Sequence, residues 1–334
     1  MVHFTNKLTA IKKMNQLAQQ QRDFFFLINY EMDKCLVCRP EEAADLDIFY
    51  RFPCGDNCSS FNGKSLAMQP GLQESNLEAV PPAYSVYKAA FHQVQREIKM
   101  GNTYLINLCF ESKILNSISL PQLFKRVKSP YCLLFKDDFL VFSPESFVKI
   151  KNNRIYTYPM KGTINADLKN AEETLLSDEK ELAEHYTIVD LLRNDLSIFA
   201  SNVRVNKFRY LQKIKSGKKS LYQTSSEIEG TLPENFEDQI GEILFSMLPA
   251  GSITGAPKKK TVEILSKVEN FSRGFYTGIT GVYSKGTLDS AVLIRFIEKR
   301  NAAYYYKSGG GITFNSTAEN EYRELIDKIY VPIY

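Results

Sequence analysis

The chain has 334 residues, of which 44% are hydrophobic, and its 42 basic residues nearly balance its 38 acidic residues to leave a net charge of +4. A chain of this length and hydrophobic content buries a large core, in one big domain or two modest ones, and this excludes a disordered protein. The near balance of charges argues against a nucleic-acid-binding surface but is compatible with a small anionic substrate.

The first thirty residues contain no apolar run long enough for a signal peptide or a membrane-spanning helix, so we expect a cytoplasmic protein. Its six cysteines are then expected to be reduced thiols. Cys35 with Cys38 and Cys54 with Cys58 have the spacing of two halves of a zinc site. The first pair lies in an apolar, strand-like run, however, and this favours thiols without a metal.

The first half of the chain predicts two helices and a series of buried strands. Residues 11–21 are predicted to form one helix, and the apolar spacing of residues 85–99 describes an amphipathic helix that ends at Gly101. Runs of β-branched and aromatic residues predict strands at residues 24–30, 35–38, 103–110, 131–135 and 139–142.

A predicted hairpin leads into the segment of residues 158–163, Tyr-Pro-Met-Lys-Gly-Thr. Its strands are residues 143–150 and 155–158, on either side of a charged turn. The hairpin is expected to bring the carboxyl group of Glu145, a candidate proton donor, close to the amine of Lys161, a candidate nucleophile. The alternative is a solvated hairpin with an exposed lysine.

Residues 178–196 predict a helix with apolar side chains along one stripe. A second stripe, which includes Ile188 and Leu191, also carries Glu184. A carboxylate on such a face needs a partner or a metal ion. The alternative is an ordinary surface glutamate.

Two loops are predicted in the second half of the chain. The basic run of residues 213–219 is interpreted as a solvated loop rather than a nucleic-acid patch. Residues 249–258 form a glycine-rich loop that runs into a helix, with Pro257 near the first turn. Its exposed N–H groups are candidates for binding an anion, although the order of its residues does not fit the phosphate loop of nucleotide-binding proteins.

The last third of the chain predicts strands at residues 274–283, 290–297 and 302–307, the second of which contains Arg295. Residues 309–311 are three glycines, interpreted as a loop that clears space for a ligand.

A final helix is predicted to begin with a capping box of Ser316 and Glu319. Its buried stripe is predicted to consist of Tyr322, Leu325, Ile326 and Ile329. The opposite face carries Glu321, Glu324 and Lys328. If that face looks into a cavity, Glu321 and Glu184 would together hold a hard divalent ion.

Together these segments resemble the chorismate-utilising enzymes, the family of anthranilate synthase component I, aminodeoxychorismate synthase component I, isochorismate synthase and salicylate synthase. Each matching block alone is weakly specific, but the blocks fall in one order over about 230 residues. They are residues 101–108, 143–145, 159–163, 183–185, 189–195, 251–258, 276–278, 294–295, 309–312 and 316–328.

The resemblance implies an α/β fold in a single large domain, with two mainly antiparallel β-sheets packed face to face and helices outside. Residues 1–334 are expected to form one chorismate-binding domain, in which residues 1–80 are a shortened N-terminal part and residues 81–334 are the catalytic core. No counterpart is found of the segment with which anthranilate synthases bind tryptophan, so feedback inhibition by tryptophan is not expected.

The resemblance also implies roles for particular residues. Lys161 is the expected nucleophile and Glu145 the expected acid, and the site is expected to lower the pKa of Lys161 and to raise the pKa of Glu145. Glu184 and Glu321 are expected to bind Mg²⁺, which in turn binds the ring carboxylate of chorismate. The expected substrate-binding residues are Thr254, Tyr276, Arg295, Gly309, Gly310, Gly311 and Lys328.

Position 161 narrows the expected activity within this family. Members that make anthranilate typically have Ala in this motif, whereas aminodeoxychorismate synthases of the common type have Lys, as here. Leu105 stands where isochorismate and salicylate synthases have a Lys that activates water, and leucine cannot act as a base. The resemblance therefore implies conversion of chorismate and ammonia to 4-amino-4-deoxychorismate, for para-aminobenzoate and folate synthesis, through a covalent Lys161 intermediate. A glutamine amidotransferase subunit is the implied source of ammonia.

Two positions depart from the family pattern. Gln223 stands where the family usually has a His that is associated with pyruvate-eliminating members, and Phe296 follows Arg295 where the family has Thr. Two alternatives stay open, an anthranilate synthase component I and a non-catalytic binding protein of the same fold. The basic residues 258–260 are interpreted as a solvated helix face.

Overall fold

The computed structural model of the chain describes residues 2–61, 77–216 and 219–333. The helices in these ranges are α1 (Lys7–Gln19), α2 (Pro40–Asp45), α3 (Tyr84–Lys99), α4 (Leu120–Arg126), α5 (Ala171–Ser177), α6 (Glu179–Leu196), α7 (Ile240–Ser246), α8 (Lys258–Val268) and α9 (Ala318–Asp327). The strands are β1 (Phe24–Ile28), β2 (Cys35–Cys38), β3 (Ile48–Phe52), β4 (Gly55–Asp56), β5 (Ala79–Val80), β6 (Leu105–Ile114), β7 (Tyr131–Phe135), β8 (Phe139–Ser143), β9 (Ser146–Lys151), β10 (Arg154–Thr157), β11 (Met160–Asn165), β12 (Ser201–Ser216), β13 (Lys219–Thr231), β14 (Gly255–Ala256), β15 (Ile279–Ser284), β16 (Thr287–Val292), β17 (Phe296–Arg300) and β18 (Ala303–Ile312).

These strands form two antiparallel sheets, each of nine strands within the described residues. The first sheet has the order β11-β13-β10-β9-β16-β15-β1-β2, with β12 paired to β13. The second sheet has the order β14-β6-β18-β17-β8-β7-β3-β4, with β5 paired to β6. The expected fold of two mainly antiparallel sheets with helices is confirmed.

The two sheets pack against each other through an aromatic core, and β1 shows how the sequence builds it. All five residues of β1 are buried. Successive strand residues face opposite sides, so such a strand must be covered on both faces. Phe25 and Leu27 contact residues of the second sheet, and the Phe25 ring stacks on the Tyr50 ring with centroids 5.2 Å apart. Phe24 and Phe26 face the opposite cluster, which α1 and α7 cover.

Helices cover the outer faces of both sheets. Residues of α6 belong to the same cluster as α1, on the first sheet, whereas α3, α8 and α9 pack on the second sheet. The helices that carry Glu184 and Glu321 therefore approach from different sheets. In the described part of the chain, no helix is long and apolar enough to cross a membrane.

The chain passes between the sheets at two short crossovers that lie side by side. Residues 144–145 connect β8 in the second sheet to β9 in the first, and residues 293–295 connect β16 in the first sheet to β17 in the second. The Glu145 carbonyl accepts a hydrogen bond from the end of β16 at 3.2 Å, and the Arg295 carbonyl accepts one from β8 at 3.1 Å. These bonds hold Glu145 and Arg295 next to each other.

The prediction of one strand over residues 290–297 is therefore wrong. This segment forms the end of β16 and the start of β17, with Arg295 between them at a φ of 54°. Because the apolar run is buried on both sides of the break, its hydrophobic pattern does not show where the chain changes sheets.

Several other local predictions are corrected by the structure. The basic run of residues 213–219 is not a loop, because β12 extends to Ser216 and β13 begins at Lys219. Residues 217–218 lie outside the described residues. The glycines 309–311 belong to β18. The strand predicted to begin at residue 274 begins at Ile279, after a turn.

The start of α9 and its apolar stripe also differ from the prediction. The Thr317 side chain, and not that of Ser316, caps the helix by accepting a bond from the Asn320 N–H. Ile326 is 37% exposed and so does not belong to the buried stripe. Ser and Thr are both among the residues that cap helices, so the sequence allowed the cap at either position.

Candidate active site

A cavity of about 210 Å³, here called the first cavity, lies where the two crossovers meet. Its walls come from both sheets, from the turn before α8 and from α9. The charged side chains among its described lining residues are Glu145, Lys161, Arg295, Lys307, Glu324 and Lys328. A cavity with this many cations and two carboxyl groups suits a small polyanionic ligand.

Lys161 reaches the first cavity from β11. The pairing of β11 with β13 shifts by one residue between Lys161 and Thr163. Gly162 within this irregularity has a φ of 71°, in the left-handed region that glycine adopts without strain. The Lys161 amine donates a hydrogen bond to Glu184 Oε2 at 3.0 Å, so the two charges form an ion pair at the cavity wall.

The Lys161 amine is held in its charged form. Burial by itself lowers its pKa, but the negative charges of Glu184, Glu324 and Glu181 outweigh burial, and the pKa of Lys161 is raised above its ordinary value. The expectation that burial leaves this amine with a lowered pKa is therefore wrong, whereas the expected effect of a nearby Mg²⁺ stays a prediction. An amine in this state is not a nucleophile until the attraction of Glu184 is removed.

Glu145 faces the first cavity from the crossover between β8 and β9. Its Oε1 accepts a hydrogen bond from the Ser252 hydroxyl at 2.6 Å. Burial raises the pKa of the Glu145 carboxyl, although Ser252 and the charges of Lys161 and Arg295 oppose this effect. The direction agrees with the expectation, and a carboxyl group with a raised pKa is able to hold a proton for donation.

Two charged side chains of α9, and that of Lys328 directly after it, face the glycines of β18. A Cβ atom built on Gly310 would lie 3.7 Å from Glu321 Oε2, 3.8 Å from Glu324 Oε1 and 3.9 Å from Lys328 Nζ. Lys328 also donates to the Gly309 carbonyl at 2.8 Å and pairs with Glu324 at 2.6 Å. The helix face that carries these residues therefore looks onto the strand that borders the cavity.

The three glycines provide space from within a sheet and not from a loop. Residues 309–311 pair with residues 107–109 of β6 along one edge. Along the other edge of β18, the pairing with β17 ends where Phe296 lies opposite Lys307, before the glycines are reached. A Cβ atom on Gly311 would lie 3.1 Å from Lys161 Nζ. The glycines thus let Lys161 and α9 approach the strand closely. The prediction of a loop is wrong, whereas the expected role of these glycines in substrate binding stays a prediction.

Arg295 carries a positive charge to the wall of the first cavity. Its guanidinium group lies 5.2 Å from the centre of the Tyr330 ring. The Nε atom is buried and has no hydrogen-bond partner among the described groups. Because a buried guanidinium N–H without a partner is costly, this group is suited to bind the carboxylate of a ligand.

Two of the predicted substrate-binding residues, Thr254 and Gly310, are not among the lining residues of the first cavity, whereas Tyr276 is. The Thr254 side chain is fully buried. Ser252 from the same turn faces the cavity instead, as does Asn107 from β6. Sequence reasoning missed Ser252 and Asn107, and their only signal was their place in the matching blocks.

A buried ion pair supports these walls from behind. Arg273 and Glu269, whose side chains are 2% and 5% exposed, are 2.7 Å apart. Arg273 also donates to the carbonyls of Asn107 at 2.7 Å and Ile253 at 3.0 Å. One guanidinium group therefore ties β6 to the turn that carries Ser252, and no sequence pattern predicted this link.

The carboxylates of Glu184 and Glu321 fit the chemistry of a hard divalent ion. Both residues are buried, at 8% and 2% exposure, and both present oxygen donors. Within residues 2–61, 77–216 and 219–333, no three acidic, histidine or cysteine side chains lie close enough to form a metal cluster by themselves. Two protein carboxylates are nevertheless the number that Mg²⁺ commonly takes, with water or substrate completing its shell.

The chain is similar to known proteins over most of its length. Residues 56–333 match the family described as chorismate binding enzyme. An uncharacterized PabA-like protein of Haemophilus influenzae is 47% identical over 97% of this chain and 96% of its own length. The aminodeoxychorismate synthase component 1 of Bacillus subtilis is 30% identical over 75% of this chain, a match that spans 56% of that protein.

A solved structure supports the same relationship. Anthranilate synthase component I from Streptococcus pneumoniae superposes with a TM-score of 0.63 at 30% sequence identity, over 76% of this chain and 59% of that chain. The shared region is therefore most of this chain but little more than half of that larger protein.

Proposed function

Since this chain belongs to the chorismate binding enzyme family, we propose that it converts chorismate and ammonia to 4-amino-4-deoxychorismate, as an aminodeoxychorismate synthase component I. The observation that carries the proposal is that the Lys161 amine and the Glu145 carboxyl line one cavity. The similarity to the Bacillus subtilis protein of that name supports it. The product would serve para-aminobenzoate and folate synthesis.

The first chemical step needs a nucleophile and an acid on one substrate. Neutral Lys161 attacks C2 of chorismate, the ring double bonds shift, and the C4–O bond breaks. Glu145 gives its proton to the departing oxygen, which leaves as water. The raised pKa of Glu145 favours the protonated form that this step requires. The result is a covalent adduct of the ring with Lys161 and an ionised Glu145.

The second step reverses the displacement with a different nucleophile. Ammonia attacks C4, the double bonds shift back, and the bond between C2 and Lys161 breaks to release the amine. The new ammonium group gives its proton to the Glu145 carboxylate, which restores the acid. The sum of both steps is chorismate plus ammonia giving 4-amino-4-deoxychorismate plus water.

The substrate's carboxylates match the remaining charges of the cavity. Arg295 and Lys328 would bind one carboxylate by charge-assisted hydrogen bonds, next to the glycines of β18. Glu184 and Glu321 would hold Mg²⁺, which when bound would neutralise the ring carboxylate and weaken the attraction of Glu184 for the Lys161 ammonium group. Tyr276 would contribute to the wall of this subsite.

In this proposal the ammonia comes from a glutamine amidotransferase subunit. Residues 1–334 would act as a single chorismate-binding domain, with residues 81–334 as the catalytic core and residues 1–80 as a shortened N-terminal part.

The test is to incubate the purified protein with chorismate, Mg²⁺ and an ammonium salt, and to identify the product by chromatography and mass spectrometry. We expect 4-amino-4-deoxychorismate, which an added aminodeoxychorismate lyase would convert to para-aminobenzoate. Absence of any chorismate turnover would instead support a non-catalytic binding protein of the same fold.

The second candidate function is anthranilate synthase component I. It is favoured by the 30% identity to the Streptococcus pneumoniae protein of that name. Lys161 argues against it, because an anthranilate synthase has no need of a nucleophilic side chain at this place. Formation of fluorescent anthranilate without an added lyase would decide for this candidate.

A further inference from the structure

Tyr330, which follows α9, contacts Arg295 but does not line the first cavity. The Arg295 guanidinium group lies over the Tyr330 ring, 5.2 Å from its centre. Arg295 is among the described lining residues of the first cavity, whereas Tyr330 is not. An effect of Tyr330 on a ligand in that cavity would therefore pass through Arg295.

The positive charge of Arg295 has no acidic partner close to it. Among the residues that the structure describes, no carboxylate lies within ion-pair distance of its guanidinium group. The face of an aromatic ring attracts such a cation. Unlike a carboxylate, the ring does not neutralise the guanidinium charge, which stays available to an anionic ligand.

The segment after α9 fixes the position of the Tyr330 ring. The Tyr306 hydroxyl of β18 donates to the Tyr330 carbonyl at 3.1 Å, and the Lys128 N–H donates to the Pro332 carbonyl at 3.0 Å. Between these two bonds, Val331 is 3% exposed and packs in the same cluster as Tyr306. The backbone on either side of the ring is therefore anchored to the second sheet, as a supporting side chain requires.

The same end of α9 also supplies a charge directly to the first cavity. Lys328, two residues before Tyr330, lines this cavity and donates to the Gly309 carbonyl at 2.8 Å. In the proposed function, Lys328 and Arg295 bind one carboxylate together. The end of α9 thus provides one of these cations and contacts the other through the Tyr330 ring.

We propose that Tyr330 is a positioning residue, whose ring holds the Arg295 guanidinium group in place to bind a carboxylate of chorismate. This inference rests on the proposed function, because it takes chorismate as the ligand of Arg295. A long side chain loses conformational freedom when it binds a ligand, and a ring that already restricts the arginine reduces this loss. The effect is expected in the binding of chorismate and not in the chemical steps at Lys161.

Substitutions of Tyr330 separate the effect of the ring from that of the hydroxyl group. Tyr330→Phe keeps the ring, whereas Tyr330→Leu removes it. Tyr330 is 36% exposed, so its replacement by Leu is expected to leave the protein folded. Tyr330→Met provides a second variant without a ring if Tyr330→Leu does not fold.

Tyr305→Leu is the matched control. Tyr305 belongs to β18, and its ring lies under the Arg300 guanidinium group, which is 4.3 Å from the ring centre. Neither residue is among the described lining residues of the first cavity. The control therefore loses the same kind of contact between an arginine and a tyrosine at a place away from the candidate site.

Steady-state kinetics are measured with chorismate as the varied substrate, at saturating ammonium and Mg²⁺. For Tyr330→Leu we expect the KM for chorismate to rise about five- to thirtyfold while kcat stays within about threefold. Tyr330→Phe should stay within about twofold of the wild type, and Tyr305→Leu should match it. A loss of folded protein alone would lower the apparent kcat and leave KM unchanged, so KM is the readout that separates positioning from stability.

A second measurement tests whether Tyr330 acts through Arg295. Arg295→Gln removes the guanidinium group, and kcat/KM is compared for this variant with and without Tyr330→Leu. The ring then has no cation to hold, so we expect the added substitution to change kcat/KM by less than about twofold.

An unchanged KM for chorismate in a folded Tyr330→Leu or Tyr330→Met protein would overturn the role of Tyr330. An equal rise of KM in Tyr330→Phe would overturn the role of the ring. Equal losses of kcat/KM from Tyr330→Leu with and without Arg295 would overturn its action through that arginine.

The wild-type protein separates a failure of this inference from a failure of the proposed function. If the wild type forms no product from chorismate and ammonium, the proposed function fails and the positioning role fails with it. If the wild type is active and only the variant results are contrary, the positioning role alone is wrong.

Discussion

The Lys161 ammonium group and the Glu184 carboxylate form an ion pair of 3.0 Å that joins β11 to α6. Both partners belong to the candidate active site, one as the proposed nucleophile and the other as a proposed metal ligand. The pair keeps the lysine charged in the chain by itself, so the proposed attack by Lys161 requires a change in the surroundings of Glu184. Removal of either side chain would take this ion-pair partner away from the charge of the other.

The first prediction uses this pair to separate charge from nucleophilicity at position 161. Lys161→Arg keeps a positive charge beside Glu184, but an arginine is not deprotonated in proteins and cannot form the adduct. We expect this variant to fold with nearly wild-type stability and to lose at least about a thousandfold of turnover with ammonium. Mass spectrometry of protein treated with chorismate and Mg²⁺, but no ammonia, should show added mass on the Lys161 peptide of the wild type alone.

Lys161→Ala provides the complementary variant, because it removes both the amine and the charge. Wild-type rates with ammonia in this variant, together with the absence of any adduct, would show that ammonia attacks chorismate directly.

The second prediction concerns the proposed metal ligands. Glu321→Gln keeps the size of a side chain that is 2% exposed but removes the negative charge that a hard cation prefers. We expect loss of turnover at millimolar Mg²⁺ and an apparent affinity for Mg²⁺ weakened about tenfold or more, measured both by kinetics and by calorimetric titration of Mg²⁺. The matched control is Glu324→Gln on the same helix, whose side chain is 50% exposed. Equal loss of Mg²⁺ affinity in both variants would contradict a specific role for Glu321.

The third prediction gives a sign for the pH dependence. Glu145 must be protonated to act as the acid. The Ser252 hydroxyl donates to Glu145 and stabilises the ionised form, which lowers the pKa of that carboxyl. Ser252→Ala should therefore raise the pKa of Glu145, so that the carboxyl keeps its proton to higher pH, as measured by the infrared band of the protonated carboxyl, which Glu145→Gln assigns. Ser266→Ala, an exposed serine of α8, should leave this pKa unchanged. A lower pKa of Glu145 in Ser252→Ala would contradict the assignment.

The fourth prediction is a graded series at the three glycines of β18. A Cβ atom on Gly310 would meet no atom closer than 3.7 Å, so Gly310→Ala should be nearly neutral. On Gly311 it would lie 3.1 Å from Lys161 Nζ and would displace the amine, so Gly311→Ala should lower kcat/KM by about ten- to a hundredfold with little loss of stability. On Gly309 it would lie 2.6 Å from Cys109 Sγ and 2.8 Å from a backbone oxygen, so Gly309→Ala should destabilise the fold by about 1–3 kcal/mol.

Thermal unfolding and steady-state kinetics of the three alanine variants test this order. Equal effects at Gly310 and Gly311 would contradict the positions assigned to the side chains around them.

The fifth prediction tests the buried pair behind the cavity. Glu269→Gln would leave the Arg273 charge uncompensated in an environment where it is 2% exposed. We expect a loss of about 3 kcal/mol or more in the free energy of unfolding, measured in urea. Glu263→Gln removes a half-exposed partner of Lys260 at 3.4 Å and should change stability by about 0.5 kcal/mol or less. A similar small effect at both positions would show that Arg273 does not depend on Glu269.

Much of the fold follows from local patterns in the sequence. The strands at residues 35–38 and 131–135 were predicted with their observed ends, and the amphipathic helix before Gly101 is α3 within one residue. Such elements are recognisable because one hydrophobic period holds over their whole length. The change of sheet at Arg295 was not recognisable, because the residues on both sides are apolar and buried whichever sheet they join.

The residues of the candidate site were likewise predictable in part. The resemblance to a family pointed to Lys161, Glu145, Glu184 and Glu321, and the structure places Lys161 against Glu184 and next to the glycines. The raised pKa of Lys161 was not predictable, since it depends on which charge lies within hydrogen-bond distance of the amine. Ser252, and not the predicted Thr254, lines the cavity. This was not predictable either, because it depends on which side chains of one turn point inward.

The two crossovers between the sheets have a consequence for refolding. Lys161 belongs to the first sheet, Gly311 belongs to the second, and Glu145 and Arg295 lie in the links between them. Neither sheet by itself therefore contains a complete set of candidate site residues. During refolding from denaturant, the return of enzymatic turnover should report the moment at which the sheets dock, and should lag behind the circular dichroism signal of the strands themselves.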